Sequence, residues 1–296
     1  MHSVYTKIIG SVDVAPVVSI IAEPQQQPST RGIGKVRVIR SRTRSVVSSA
    51  FARSPLRLLT PRNHGHAAWV FTGSYGGGFV DGDSVRLSVD VGSHAAALLS
   101  TQASTKVYRS PHGTSASLRA TVSDSGLLII LPDPVVCFAG SRYRQTQRVE
   151  LGHETTLVLV DWMSSGRRAA GERWLFDEYA SRLTVVNDGR VVLADALLLS
   201  SEHGNLPERM GRFNVLCVIV LLGPGARRHA DRAISRIATL SIPRRADLLL
   251  SSSPIEDIGG IVRIAGTSFE GVAREVRDVL EFLPSLLGDD PWIRKW

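Results

Sequence analysis

Residues 73–110 read GSYGGGFVDGDSVRLSVDVGSHAAALLSTQASTKVYRS, and the fold class turns on this stretch. Gly76, Gly77 and Gly78 are three consecutive positions able to take φ > 0 or to admit another backbone closely. Behind them Val85, Leu87, Val89 and Val91 alternate with Ser84, Arg86, Ser88 and Asp90, the period of a strand with one buried face. Gly92 and Ser93 turn the chain. A blander strand runs from Ala95 to Thr101, and a dense series of hydroxyls and amides continues to Ser110. Strand, turn and strand at this spacing argue for an all-β body.

The same period extends both ways. Upstream, Lys35, Arg37 and Ile39 alternate with Val36, Val38 and Arg40, while Met1 to Arg31 carries Gln25-Gln26-Gln27-Pro28 and little periodicity. Residues 1–31 read as a mobile N-terminal extension. Downstream, Ala116, Leu118, Ala120 and Val122 alternate with polar residues, and Leu127 to Leu131 is continuously apolar, as in a strand buried on both faces. Arg142, Arg144, Thr146, Arg148 and Glu150 share one face of a further strand, with Val149 and Leu151 on the other. Thr155 to Val160, Arg182 to Val186 and Arg190 to Ala194 continue the series, and Asn187-Asp188-Gly189 is a hairpin signal.

After about Asn205 the pattern changes. Asn214 to Leu222 reads as a buried strand and Pro224 to Leu240 as an amphipathic helix. Asp247 to Ser251 and Gly260 to Ala265 read as strands. Thr267-Ser268-Phe269-Glu270 opens a helix as a capping box, and the helix runs to about Leu283, where Pro284 and Gly288 end it. The expectation is a mainly β protein. Residues 32–205 form a large stacked, β-helix-like sheet body, and residues 206–296 a smaller C-terminal α+β portion in the order strand-helix-strand-strand-helix, carrying two helices.

Composition bounds the function classes. The chain has 296 residues and 32.1 kDa, and its 43% hydrophobic content excludes wholesale disorder. Its two cysteines, Cys137 and Cys217, lie inside apolar runs, so core packing in a reduced compartment is expected rather than a disulfide framework. The longest apolar run, Val215 to Leu222, falls far short of the ~20 residues that span a bilayer. With no signal-peptide pattern at the start, a cytoplasmic protein with no membrane role is expected.

The net charge of +8 is local. Pro24 to Val80 holds nine Lys or Arg residues and no acid, and the remaining 26 basic and 27 acidic residues leave −1. The run is Arg31, Lys35, Arg37, Arg40, Arg42, Arg44, Arg53, Arg57 and Arg62. It reads as a solvated strand face or a docking patch for an acidic protein. The alternative is a nucleic-acid-binding module using Arg31 to Arg62, although no aromatic lies between Tyr5 and Phe51 to stack on bases.

Catalytic signatures fail one by one. Gly78 runs through Phe79-Val80 into a strand, which no Walker loop does, and the dinucleotide spacing from Gly76 would need glycine where Asp81 stands. His153-Glu154-Thr155-Thr156 lacks its second histidine, because position 157 is Leu157, and Thr72-Gly73-Ser74-Tyr75-Gly76 lacks the first glycine of a nucleophile elbow. His64-Gly65-His66 is the one close histidine pair, either incidental or able to meet Ni²⁺. An enzyme is not expected. Three carboxylates sit in unusual settings. Asp161 follows Leu157-Val158-Leu159-Val160, Asp83 follows the glycines, and Glu172 follows Ala169-Ala170-Gly171. Each is either a turn former or ion-pair partner, or a group meeting an ion. For Asp81 and Asp83 the turn reading leads, and for Asp161 the two stand level.

GGGFVDGD with TQASTKVYRS, followed in order by LPDPVVCFAGSR, DWMSSGRRAAGE and PWIRKW, resembles the urease accessory proteins of the UreD (UreH) type, from about Ser54 to Trp296. The resemblance implies a non-enzymatic, mostly β scaffold. It would bind urease apoprotein together with UreF-type and UreG-type partners, the latter a GTPase, and help install nickel in the urease active site. It allows a homodimer within that complex. No cofactor is implied beyond nickel in transit. Gly77, Gly78, Gly82 and Asp83 match the family's glycine-aspartate motif, and Lys106, Tyr108, Arg109 and Ser110 its Lys-x-Tyr-Arg-Ser. Asp161 matches an acidic position in front of Gly166-Arg167, and Gly171-Glu172 match the Gly-Glu that closes the segment. Asp161, Asp83 and Glu172 are then the candidates for a transient nickel path, since a conduit needs oxygen ligands that let go. The sequence departs from the family pattern at Asp81, at Asp133-Pro134, in the basic run and in the Gln-rich start, as a divergent member would.

Overall fold

The computed structural model describes residues 32–293, so the expectation for residues 1–31 lies outside the described residues. Strands β1 (Gly32–Ser41) and β2 (Arg44–Arg53) form a hairpin, followed by β3 (Leu56–Leu59) and β4 (Ala68–Ser74). Next come β5 (Ser84–Val91), β6 (Ala96–Thr101), the short β7 (Thr105–Val107), β8 (Thr114–Val122), β9 (Leu127–Leu131) and the short β10 (Val135–Cys137). The series continues with β11 (Arg142–Leu151), β12 (Thr156–Ser164), β13 (Glu178–Asn187) and β14 (Arg190–Ser200). The last third adds α1 (Leu206–Met210), β15 (Val215–Leu222), α2 (Arg227–Ala238), β16 (Leu248–Ile255), β17 (Gly259–Gly266), α3 (Phe269–Val279) and α4 (Leu283–Leu287).

The strands make two sheets. The first runs β14-β13-β11-β8-β5-β1-β2, and the second β16-β17-β15-β12-β9-β6-β4-β3, with β7 and β10 attached beside β12. From β4 to β13 the chain alternates between them. Each new strand lies parallel to the previous one of its own sheet: β5, β8, β11 and β13 in the first, and β4, β6, β9 and β12 in the second. This is the β-helix-like winding expected from the regular strand spacing.

Patterning explains the layers. Val85, Leu87, Val89 and Val91, the alternating residues of the opening stretch, face Leu99, Leu128, Ile130, Leu157 and Leu159 between the sheets. Leu127, Ile129 and Leu131 point the other way, so the apolar run of β9 is buried on both faces, as read. The outer face of the second sheet is covered by α2, α3 and α4 through Ala230, Ala233, Ile237, Val272, Val276 and Leu283. Strands β15, β17 and β16 continue that same sheet, each antiparallel to its neighbour.

Local chemistry sets the boundaries, with two corrections. The Asn187-Asp188-Gly189 turn joins β13 to β14 with Asp188 at φ 48° and Gly189 at φ 77°, as a tight hairpin requires. Helix α3 is capped by Ser268, whose Oγ accepts from the Gly271 N–H at 3.1 Å, one residue later than the capping box placed it. The helix also stops at Val279, short of Leu283. Pro284 does not end it but sits in the first turn of α4, where its missing N–H costs nothing, and Gly288 at φ 72° closes that short helix. No helix among the described residues is long and apolar enough to cross a membrane.

Candidate functional site

On β12 the residues Leu157, Leu159, Asp161 and Met163 share the face turned toward the first sheet, so a carboxylate occupies a core register. It is met by polar residues in the corresponding registers opposite. Strand β11 sends Tyr143, Gln145 and Gln147 inward on the face that carries Val149 and Leu151, and β13 sends Tyr179 and Ser181. Gln145 Nε2 donates to both carboxylate oxygens of Asp161, at 2.7 and 2.9 Å, and also lies 2.9 Å from Ser181 Oγ. Ser181 Oγ donates to Asp161 Oδ2 at 2.7 Å. These donors are neutral, and among the described residues no cation forms an ion pair with Asp161. Burial therefore pushes its carboxyl above the ordinary carboxylate range, with the Ser181 and Gln145 hydrogen bonds opposing and the Asp195 charge adding to the rise.

The space beside Asp161 is open. A cavity of about 290 Å³ lies between the sheets, lined by Asp161, Trp162, Gln145, Gln147 and Tyr143, and by Gly77, Gly78, Thr101 and Asp133 from the opening stretch and its neighbour. Asp161 is thus deep in the protein yet keeps surface toward a solvent-connected volume of roughly ten waters. Asp133 is a second carboxylate on this wall. Its Oδ2 accepts from Thr101 Oγ1 at 3.0 Å, and Thr101 Oγ1 in turn accepts from the Asp133 N–H at 2.6 Å. The polar pairs interrupt an apolar interior. Val149, Leu151, Leu157 and Leu159 lie on one side of them, and Tyr143, Met163, Trp174 and Tyr179 on the other.

The glycine stretch forms part of the same wall by close approach. Phe79 N–H donates to the Lys106 carbonyl at 2.8 Å, and Tyr108 N–H to the Phe79 carbonyl at 2.9 Å. A Cβ on Gly78 would lie 2.6 Å from the Lys106 carbonyl oxygen and 2.8 Å from the Tyr108 ring, so only glycine lets the segment seat there. Gly77 takes φ 69° and Gly82 φ 77°. Asp83 is buried in the turn they make, accepting from the Val80 N–H at 2.9 Å, and it does not line the cavity. Asp81 turns outward onto His112, whose ring nitrogen lies 2.7 Å away; that hydrogen bond holds its carboxyl below the ordinary range.

A third group stands outside the cavity wall. Glu172 pairs with Arg167 and accepts from the Ala139 N–H at 3.1 Å, and the Arg167 hydrogen bond holds its carboxyl below the usual range. The Arg167 guanidinium lies 4.2 Å above the Phe138 ring, which meets Tyr108 edge-on at 5.1 Å. Gly166 at φ 117° and Gly171 at φ 77° shape this loop. Ser110 is fully buried and bridges to Arg142, accepting from its N–H at 2.9 Å, while Lys106 and Arg109 face solvent. The glycine turn, the Tyr108 segment and the Glu172 loop thus meet through Phe79, Tyr108, Phe138 and Arg167, and Asp161 shares only the cavity wall with Gly77 and Gly78.

The remaining candidates are structural. Gly65 packs on the Leu287 carbonyl, and His64 N–H donates to Asp289 at 2.9 Å. Cys137 and Cys217 are buried and free. Burial pushes the Cys137 thiol up to about 12 against a weaker Ser141 hydrogen bond, and burial with the Asp161 charge raises Cys217, so neither offers a thiolate to a metal. Among the described residues no three His, Cys, Asp or Glu side chains gather as a metal cage. The sequence does not single out Gln145, Gln147 or Ser181, and marks Asp133 only as a departure from the family pattern and Thr101 only as the end of a strand. The signal was present on β11, where Gln145 and Gln147 share parity with Val149 and Leu151.

Fold and site together define a class: a strand-built scaffold with a carboxylate-bearing cavity between its sheets whose wall is completed by a glycine turn. Comparison with known proteins narrows it. The model of the UreD urease accessory protein family matches residues 31–296. The chain is 55% identical to a urease accessory protein UreD of Sorangium cellulosum over 90% of its length and 84% of the relative's. It is 43% identical to one from Anaeromyxobacter over 93% of both chains, and 34% identical to a urease accessory protein D of Oryza sativa over 92% and 98%. The chain belongs to the UreD urease accessory protein family, and its role lies in urease maturation.

Proposed function

We propose that the protein binds urease apoprotein in a complex with UreF-type and UreG-type partners and passes nickel through the inter-sheet cavity, with Asp161 as the carboxylate the ion meets inside. One observation carries this reading: Asp161 faces the half-open inter-sheet cavity with neutral hydrogen-bond donors and no ion-pair partner among the described residues. A buried carboxylate in that state is costly, and a passing divalent cation supplies the missing charge. The cavity is lined mainly by apolar side chains, and its other polar groups are carbonyls, hydroxyls, amides and Asp133, ligands that bind a hard or borderline cation weakly enough to release it. Asp83 and Glu172, already held by the Val80 N–H and by Arg167, serve in this reading to shape the glycine turn and the outer loop.

The test is complementation of cells lacking this protein with Asp161→Asn. The expected result is normal retention of urease apoprotein and the UreF-type partner in a pull-down, with urease nickel content and activity reduced about tenfold or more. Unchanged nickel content would overturn the path. Loss of retention by the unmodified protein would overturn the complex.

A further inference from the structure

The helices cover the second sheet; the outward face of the first carries none of them. Register alignment shows what that face presents. In β1 the outward residues are Ile33, Lys35, Arg37 and Ile39, paired with Arg53, Phe51, Ser49 and Val46 of β2. Across β5, β8, β11 and β13 the same rows continue through Arg86, Ser117, Thr146 and Arg182, and through Ser88, Arg119, Arg148 and Thr184. In sequence the charge excess belonged to residues 24–80. In the fold, arginines from four later strands join Lys35, Arg37 and Arg53 on one surface.

Each carboxylate on this face is already held. Asp90 pairs with Arg37 at 3.4 Å, Glu150 with Arg148 at 2.8 Å and Glu178 with Arg144 at 2.6 Å. Among the described residues no carboxylate pairs with Lys35, Arg53, Arg86, Arg119 or Arg182, which leaves five cations set among serines and threonines. Seven strands at ~4.8 Å spacing, eight to eleven residues long at ~3.3 Å per residue, give an area of roughly 900 Å², close to the share one partner contributes to a standard interface.

We propose that this outer face is a docking surface for an acidic face of another protein. Complementary charge over such an area steers association and fixes orientation. A nucleic acid fits it less well. Phe51 is the single aromatic side chain among those outward rows, so bases find no stacking platform. The face lies on the opposite side of the first sheet from the cavity, so this inference and the nickel path stand or fall separately.

The test uses the full chain and two soluble polyanions of matched charge, poly-L-glutamate and duplex DNA, titrated by fluorescence anisotropy over a salt series. The triple variant Arg86→Thr, Arg119→Thr and Arg182→Thr keeps strand-forming residues at exposed or half-exposed positions. It is expected to weaken poly-L-glutamate binding about tenfold or more and to flatten the salt dependence. The pair Arg244→Thr and Arg245→Thr, in the exposed loop after α2, is expected to change neither. If the triple variant melts early, Lys35→Thr with Arg53→Thr on the β1–β2 hairpin gives the same reading. Equal poly-L-glutamate binding by a folded variant overturns the proposal. So does duplex DNA bound more tightly than poly-L-glutamate and released by the same substitutions.

Discussion

Gly78 and Asp161 show how single residues set the site. A methyl group on Gly78 must push aside the Lys106 carbonyl, whereas at Gly76 the nearest atom would lie 3.7 Å away. Gly78→Ala should therefore destabilise by about 1–3 kcal/mol and Gly76→Ala by less than about 0.5 kcal/mol, read as melting temperatures of the two variants. For Asp161 the sign follows from its raised carboxyl. The folded state holds the proton more tightly than the unfolded chain does, so its favourable contribution is present below the unfolded value and is lost as pH rises through the raised one. At neutral pH the charge weighs against the fold. Asp161→Asn should melt higher than the parent at pH 7, and the gap should close as pH falls from the raised value to the ordinary carboxylate range. Nickel needs the ionised form, so nickel retained by the unmodified protein in equilibrium dialysis should fall off at a pH above that range and should not do so in Asp161→Asn. Asp161 itself was legible in sequence, as a carboxylate ending an apolar run. Its partners were not, because Gln145 and Gln147 sit in a strand whose other parity is so strongly basic that it read as merely amphipathic.

Elements were more legible than their ends. The alternation of β5, the two-faced apolar run of β9 and the hairpin at Asn187-Asp188-Gly189 each carry their geometry in side-chain pattern alone. Helix ends depend on which hydroxyl reaches which N–H. At Thr267-Ser268 two adjacent residues both qualify, and packing chose Ser268. Ser268→Ala should cost about 1 kcal/mol, and Thr267→Ala clearly less on the helix terminus, measured by urea denaturation. Pro284 misled for a related reason. A proline reads equally as the end of one helix or the first turn of the next, and only the placement of Leu283 and Leu287 in the core decides. Pairing between distant strands was invisible too, since β12 meets β15 across more than fifty residues with no local signal in either.

For the whole molecule, strands β15–β17 extend the sheet that β12 belongs to, and α2, α3 and α4 cover its outer face. A chain ending at Asn205 would leave Trp69, Leu98, Ile129, Val158 and Trp162 bare, and is expected to be recovered aggregated or unfolded in circular dichroism. The full chain should unfold in one urea transition, with tryptophan fluorescence and far-ultraviolet signals coinciding. Strand winding also has a cost in time. On the ribosome, the face presented by β4, β6, β9 and β12 is complete once Ser164 has emerged, yet its cover ends only at Leu287 of α4. At translation rates of about 5–20 residues per second that is roughly 6–25 s of waiting. Throughout it, a greasy half-built wall is open to any holdase or sticky neighbour, so a cell making this protein has to shelter it during synthesis before it can assist another.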